Sequence, residues 1–431
     1  VVAPSANANG RYPQASQIVV DPSDPAHWVA RSTFGILETH DVGAEWTWTC
    51  EAGVGYASGE DPPIAVTADG STLVAFSGGL RTTHDAGCSW PSAGSFGYGI
   101  DIAVDPSSSH QALAIARYGA GDAAPSTSLV ETSDNGATWS AVGQPIESDF
   151  VGETIEIGDT ANGRVYVSGN VQAREADSGQ FVVKAALERS DDGGQTWTRF
   201  LPDLPGAYSL FIAGVDRAKP GVIYARTVGS VTGQLWMSRD GGATFSTILT
   251  VSGDLLGLAL SPDGSTLVVG GPDAGILLAS TADLAFTKVN DVGSYCLTWV
   301  GNRLLTCAKE GVASFSVGAS DDRGATFHSV MQLASISPHD CPASSAGAIC
   351  ANVWPSVAAV IQPEGGGPPV PPPTGSNPVE DNASASSRCG CSFRDAPASP
   401  LGILLASLAS ALLMRRRARA QRDFSACRRF R

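Results

Sequence analysis

The sequence predicts an all-β protein. Three observations carry that expectation: a turn that recurs along the chain, the short apolar runs that flank it, and a composition suited to many brief strands. Charged residues are only 16% of the chain, while 49 Gly and 27 Pro are enough to punctuate strands throughout. A length of 431 residues exceeds what one hydrophobic core supports, which leaves several domains or a repeat architecture.

The turn decides for repeats. It reads Thr39-His-Asp41-Val-Gly43-Ala-Glu-Trp46, Thr83-His-Asp85-Ala-Gly87-Cys-Ser-Trp90, Thr132-Ser-Asp134-Asn-Gly136-Ala-Thr138-Trp139 and Ser190-Asp-Asp192-Gly-Gly194-Gln-Thr196-Trp197. Ser238-Arg-Asp240-Gly-Gly242-Ala-Thr244-Phe245 and Ser320-Asp-Asp322-Arg-Gly324-Ala-Thr326-Phe327 continue it, and Thr281-Ala-Asp283-Leu-Ala-Phe286 is a degenerate copy without the Gly. Successive Asp residues lie 44, 49, 58, 48, 43 and 39 positions apart, so seven units of similar size tile residues 16–333. In such a turn the carboxylate accepts hydrogen bonds from nearby backbone N–H groups, Gly takes the left-handed conformation, and the closing aromatic packs between sheets. Asp41, Asp85, Asp134, Asp192, Asp240, Asp283 and Asp322 are therefore expected to be structural.

Each unit carries four strands around its turn. The sixth reads Leu256–Leu260, a turn at 261–264, Thr266–Val269 and Gly275–Ser280 before the copy at Asp283; the third reads Ile100–Val104, Ala112–Ala116, Ser128–Thr132 and Thr138–Val142. That order is the pattern of a propeller blade, and seven sets predict a seven-bladed β-propeller of four-stranded blades over residues 9–362. If the recurrent turn joins strands three and four, the turns between strands one and two share its face. The opposite face then carries the long connections 118–127, 170–180 and 226–234 of blades three to five, the expected ligand surface.

The recurrent turn resembles the Asp-box, or BNR repeat, of sialidases, sortilin-type receptors, xyloglucanases and photosystem-assembly factors. The resemblance implies the propeller and raises glycoside hydrolysis. A sialidase needs three arginines around a carboxylate, a Tyr–Glu nucleophile pair and an acid Asp, and its Phe/Tyr-Arg-Ile-Pro signature has only Arg11-Tyr12-Pro13 to set against it here. The xyloglucanase type cleaves between two seven-bladed domains, and this chain has room for one. Neither His-Glu-x-x-His nor Gly-x-Ser-x-Gly occurs. Glu153 and Glu156, in the first strand of blade four, stand three apart and so point to opposite sides of a regular strand. The catalytic residues are thus unknown, no cofactor and no metal site is expected, and the favoured function is a non-catalytic scaffold binding a glycan or protein partner. A secreted glycoside hydrolase is the alternative.

The formal charge is −15, and residues 415–431 hold eight Arg against one Asp, which leaves −22 on the rest. Such a surface repels nucleic acid. Nine cysteines suggest an oxidising compartment. A two-residue turn at Gly301-Asn302 places Val300 opposite Arg303 and, counting outward, Cys296 opposite Cys307, within disulfide reach. Cys341 with Cys350, and Cys50 with Cys88, are the further expected pairs.

Both ends read as addresses. Ala6-Asn7-Ala8 has the form of a signal-peptidase site, so residues 1–8 are expected to be the remnant of an export signal. Residues 363–388 are rich in Pro, Gly and Ser and are expected to form an extended, disordered linker. Next come Cys389-Gly390-Cys391, an uncharged run Ala396–Met414 long enough to span a bilayer as one helix, and an Arg cluster from Arg415. Residues 389–431 resemble the tripartite sorting signal of myxobacterial surface proteins, the MYXO-CTERM type. That resemblance implies a sorting protease as partner, processing near Cys391, and display at the cell surface.

Overall fold

Seven antiparallel sheets follow one another along the chain and meet in a ring. The computed structural model describes residues 11–362 apart from 119–125, 159–162, 175–179, 220 and 229–231. The expected export remnant, linker, membrane helix and sorting residues Cys389, Gly390 and Cys391 lie outside the described residues. Among those described, no helix is long and apolar enough to cross a membrane.

Blade one is β1 (Ala15–Val20), β2 (Trp28–Ser32), β3 (Gly35–Thr39) and β4 (Trp46–Thr49); blade two is β5 (Ile64–Val66), β6 (Thr72–Phe76) and β7 (Gly79–Thr83). In blade two the fourth strand is reduced to one bridge, Arg81 to Ser92, beside Pro91, which has no N–H to offer a ladder. Blade three is β8 (Tyr98–Val104), β9 (Ala112–Tyr118), β10 (Ser126–Thr132) and β11 (Ser140–Val142). Blade four is β12 (Phe150–Ile157), β13 (Val165–Arg174), β14 (Phe181–Ser190) and β15 (Thr198–Phe200). Blade five is β16 (Ser209–Val215), β17 (Ile223–Val228), β18 (Gly233–Ser238) and β19 (Ser246–Val251). β20 (Gly257–Leu260), β21 (Thr266–Gly271), β22 (Gly275–Ser280) and β23 (Thr287–Asn290) form blade six; β24 (Cys296–Val300), β25 (Arg303–Cys307), β26 (Val317–Ser320) and β27 (His328–Met331) form blade seven. The seven-bladed, all-β architecture is the one the repeats predict.

Apart from a late addition to blade one, every blade is one continuous run of chain, and the first strand of each lies at the inner edge of its sheet. The ring closes where β24 packs against β1. There the Trp46 indole N–H donates to the Val330 carbonyl at 3.0 Å, and the Gly311 N–H donates to the Tyr12 hydroxyl at 2.9 Å. A buried cluster unites Trp28, Leu37, Trp46 and Trp48 of blade one with Leu305, Val317 and Met331 of blade seven.

The chain does not stop at the seam. β28 (Ile336–Pro338) runs parallel to β4 and adds a fifth strand to blade one, and the helix α1 (Ile349–Ile361) packs Trp354 on Trp48 with ring centroids 5.4 Å apart. This strap corrects two expected disulfides. Cys296 bonds Cys307 in the register deduced above, but Cys50 bonds Cys350 and Cys88 bonds Cys341. Proximity in sequence misleads for these four, because pairing with β4 carries residues 341 and 350 back over blades one and two.

The long-range bonds span 300 and 253 residues. Cross-linking across so much chain removes loop entropy from the unfolded state, typically about 2–4 kcal/mol per bond. Cys50→Ser/Cys350→Ser should lower the unfolding free energy by that amount, measured from denaturant midpoints at unchanged slope. Removing both long-range bonds should cost more than the sum of the single losses, because either one alone still closes most of the ring. Unchanged midpoints in the doubly reduced variant would show that the strap has no part in closure.

Candidate functional site

The recurrent turn is built alike in its full copies. In blade four the Ser190 hydroxyl donates to Asp192 Oδ1 at 2.7 Å and accepts from the Gly194 N–H at 2.7 Å; the Thr196 N–H donates to Oδ1 at 2.9 Å and its hydroxyl to Oδ2 at 2.7 Å. Asp85, Asp134, Asp240 and Asp322 repeat this set, and Asp41 lacks only the second hydroxyl, since Glu45 stands there. Hydrogen bonds from the Thr side chain and backbone hold the Asp192 and Asp322 carboxyls down at about 2. Both carboxylate oxygens accept hydrogen bonds within the turn, which is what the expected structural role requires.

The turn also reaches beyond itself. A Cβ on Gly136 would collide with Leu73 and Thr82 of blade two, and one on Gly194 with Leu129 of blade three. Each Gly is therefore needed twice, for its left-handed backbone and for the approach of one blade to the blade before it. In the degenerate sixth copy Leu284 takes the left-handed conformation at φ 56°, and its side chain joins the core shared by blades five and six.

On the opposite face the connections differ from expectation. Residues 170–174 continue β13 and pair with residues 181–185 of β14, so blade four carries a ten-residue hairpin arm in place of a loop beginning at Asn170. Arg226, Thr227 and Val228 likewise belong to β17, and Gly233 and Gln234 to β18. Residue 118 closes β9 and residues 126–127 open β10. The remaining stretches, 119–125, 175–179 and 229–231, lie outside the described residues. Strand direction puts the start of β8, the start of β14 and the end of β15 on this face, and Tyr98, Phe181 and Leu201 are there 42%, 59% and 56% exposed. Beneath them Arg199 gathers Asp149 at 2.9 Å, Glu188 at 2.5 Å and Glu147 at 3.3 Å.

A second constellation lines the axial channel, on the inner strands β8 and β12. The alternation that separates Glu153 from Glu156 in a regular strand fails, because a bulge between Gly152 and Thr154 inserts Glu153 as an extra residue. The two still do not form a pair: Glu153 is within electrostatic range of Arg226, whereas Glu156 feels Asp101 and Arg217. Asp101, which the sequence reading missed, accepts the Ile155 N–H at 3.0 Å. Burial pushes Asp101 up to about 7 against that hydrogen bond and the Ile102 amide; burial and then the Asp101 charge push Glu156 up to about 7. Both residues keep some surface open to the channel, but protein surrounds the carboxyl groups, so water there solvates them poorly. Between blades five and six a cavity of about 10 Å³, walled by Arg226, Leu255, Leu258 and Val269, holds at most one water and is too small for a sugar.

Carboxyls raised in the folded state stay protonated there while their unfolded counterparts ionise near 4. Stability therefore falls as pH rises from about 4 to about 7 and levels off above. Glu156→Gln should match the parent near pH 4 and exceed it at pH 8 by about 1–2 kcal/mol. A variant less stable than the parent at pH 8 would mean that Glu156 is ionised and needed in that form.

The chain matches no protein-family profile, and no curated protein resembles it in sequence. Among solved structures it is similar to Saccharomyces cerevisiae Sqt1, at 12% identity and a TM-score of 0.48, over 74% of this chain and 85% of that one. An ancestral GH74 enzyme is similar at 13% identity and a TM-score of 0.49, over 75% of this chain and 55% of the enzyme, so the chain spans about half of it. Hydrazine synthase of Kuenenia stuttgartiensis is similar at 11% identity and a TM-score of 0.47, over 69% of this chain and 93% of that one.

Proposed function

We propose that the protein is a non-catalytic binding propeller that captures a glycan or a protein partner on the face opposite its recurrent Asp turns. The observation that carries this reading is the exposure of Tyr98, Phe181 and Leu201 together on that face of blades three and four. Large apolar side chains standing in water on a rigid edge are the usual anchors of recognition, by stacking on a sugar ring or by filling a partner's pocket. The turns themselves are read as Asp-boxes with a scaffolding role, because both oxygens of each carboxylate in the fullest copies accept hydrogen bonds from the turn itself.

Phe181→Ala and Tyr98→Ala should each weaken binding in a glycan and protein-partner screen at least tenfold while moving the unfolding free energy by less than about 0.5 kcal/mol. Binding that survives both substitutions would place recognition elsewhere. A glycosidase is the competing reading, favoured by the two channel carboxyls held near 7. Turnover of sialosides or β-glucans that disappears in Glu156→Gln would establish it instead.

The proposed location is the cell surface. Three disulfides suit an oxidising compartment. The Cys389-Gly390-Cys391 motif, apolar run and Arg tail support delivery through a C-terminal sorting signal cut near Cys391. Mass spectrometry of surface-shaved cells should find the chain ending near Cys391, with Cys391→Ala retained inside. Recovery of residues 396–431 on the surface form would show an uncleaved membrane anchor.

A further inference from the structure

Blade one carries a second constellation, on the rim that holds the recurrent turns. The β2–β3 ladder pairs Trp28 with Thr39 and Val29 with Glu38, so the next residues outward, His27 and His40, stand opposite each other on the face that carries Glu38. Their rings stack with centroids 4.2 Å apart and planes inclined by 15°. Glu38 Oε1 lies 2.8 Å from His27 Nε2 and 3.1 Å from His40 Nε2, and one ligand atom from each of the three residues falls within 4.8 Å of the others. Behind them Asp21 Oδ2 takes His27 Nδ1 at 3.1 Å, while Asp21 Oδ1 is fixed by the Ser23 N–H at 2.7 Å and the Asp24 N–H at 3.2 Å. His27, Asp21 and Glu38 are buried, and His40 is 58% exposed at the mouth.

Three other blades show what this slot looks like with different residues. Register places Arg164, Arg189 and Asp191 at the equivalent positions of blade four, where both guanidinium groups bind Asp191. Blade seven has Arg303 and Asp321, 2.9 Å apart, and blade two has Ser71 hydrogen-bonded to His84. In each case the slot closes on itself with an ion pair or a hydrogen bond. Blade one also closes, with His27 between Asp21 and Glu38, but it does so by setting two imidazoles on one carboxylate oxygen, all of them groups that can ligate a metal. Once the imidazoles give up their Nε2 protons, as ligands must, the two carboxylates are balanced in charge by a dication.

We propose that His27 Nε2, Glu38 and His40 Nε2 bind a transition-metal dication of the zinc class, with Asp21 orienting His27 from behind. Imidazole and carboxylate are the ligands such an ion prefers; bonds of about 2.0–2.1 Å in a tetrahedron hold ligand atoms about 3.3 Å apart, a few tenths of an ångström beyond the two carboxylate–imidazole spacings, and the exposed His40 ring turns out of its stack on His27 so that both Nε2 lone pairs meet at the ion. Binding releases the Nε2 protons to solvent; His27 keeps its Nδ1 proton on Asp21, the arrangement by which a carboxylate fixes a ligand histidine. Three protein ligands leave the fourth position open on the His40 side, to water or to a donor atom of a partner. The expectation of no metal site, drawn from the missing His-Glu-x-x-His run, looked for ligands along one helix; here they come from two strands.

The full chain titrated with Co²⁺ should develop the visible d–d bands of tetrahedral coordination, bleached by Zn²⁺, and Zn²⁺ should raise its unfolding midpoint. His40→Ala removes a half-exposed ring whose contacts are its stack on His27 and its approach to Glu38, so its metal-free midpoint should fall only slightly while the bands vanish and Zn²⁺ no longer shifts the transition. Asp21→Asn should weaken Zn²⁺ binding by about 10–100-fold. A parent chain with no bands and no Zn²⁺ shift would overturn the proposal. Bands that persist in both His40→Ala and Glu38→Gln would overturn it too, since the ion would then sit at other histidines. The readouts are independent of any ligand on the opposite face.

Discussion

Closing the ring is the constraint on which everything else depends. No blade borrows a strand from another blade, so among the described strands the hydrogen-bonded clasp at the seam is the short β28, which follows blade seven and pairs with β4 of blade one. Bringing β1 against β24 costs loop entropy of about 5 kcal/mol for some 300 residues of chain. The seam answers with the largest apolar side chains in the molecule: Trp28, Trp46 and Trp48 are all at most 1% exposed. Burying one such side chain returns about 2–3 kcal/mol, so the cluster offsets the closure entropy only when several are buried together. The strap adds β28, α1 and two disulfides at blades one and two, beside the seam. Its position is explained by where closure is weakest.

The same ring sets the chemistry of the channel. The inner strand of each blade is a sheet edge with unpaired backbone groups, and side chains of the preceding blade cap several of them. Gln17 exchanges two hydrogen bonds with Ile64, Asp101 accepts from the Ile155 N–H, and Thr154 accepts from the Ile212 N–H. Gln17, Asp101 and Thr154 each follow a bulge at the same level of the inner strand. Asp101 thus fills a place that Gln and Thr fill elsewhere, and its raised affinity for a proton follows from being buried there. A carboxyl installed as an edge cap weakens the case for a glycosidase, because its position is accounted for without a substrate.

How much of this was legible follows from the range of each interaction. The Asp turns and the Cys296–Cys307 pairing are local, set by a repeat unit or by a two-residue turn, and counting along the chain recovers them. The blade-four arm was partly legible: Asn170-Val-Gln-Ala-Arg174 contains no Gly or Pro to end a strand. Outward counting from the Ser32–Gly35 turn, as applied to the cysteines, would also have set His27 against His40. By contrast, the strap pairs residues 336–338 with residues 46–48, and nothing local announces a partner so distant. Asp101 and Glu156 were hidden for another reason. Their approach depends on bulges at Ile100 and Glu153, and one extra residue in a strand reverses every inference from alternation.

A repeat fold offers its own control for reading the rest. Seven copies show what a position needs for folding, so a departure can be judged by whether the structure compensates for it. Blade six loses the Gly of its turn, and Leu284 restores the lost contact by packing into the core between blades five and six, which marks that change as drift absorbed by the fold. Blade two loses its fourth strand, and its short bridge stands beside the disulfide from Cys88 to the strap. The blade-four arm has no such compensation: it lifts Phe181 into water at 59% exposure, where the fold gains nothing from an aromatic ring. The slot in blade one departs in another way: it closes on itself through His27 with Asp21 and Glu38, but with two imidazoles where blades four and seven place arginine–aspartate contacts. A departure that the fold does not require singles out these two places, on opposite faces of the ring, as the ones where the proposed partner and the proposed metal ion are to be sought.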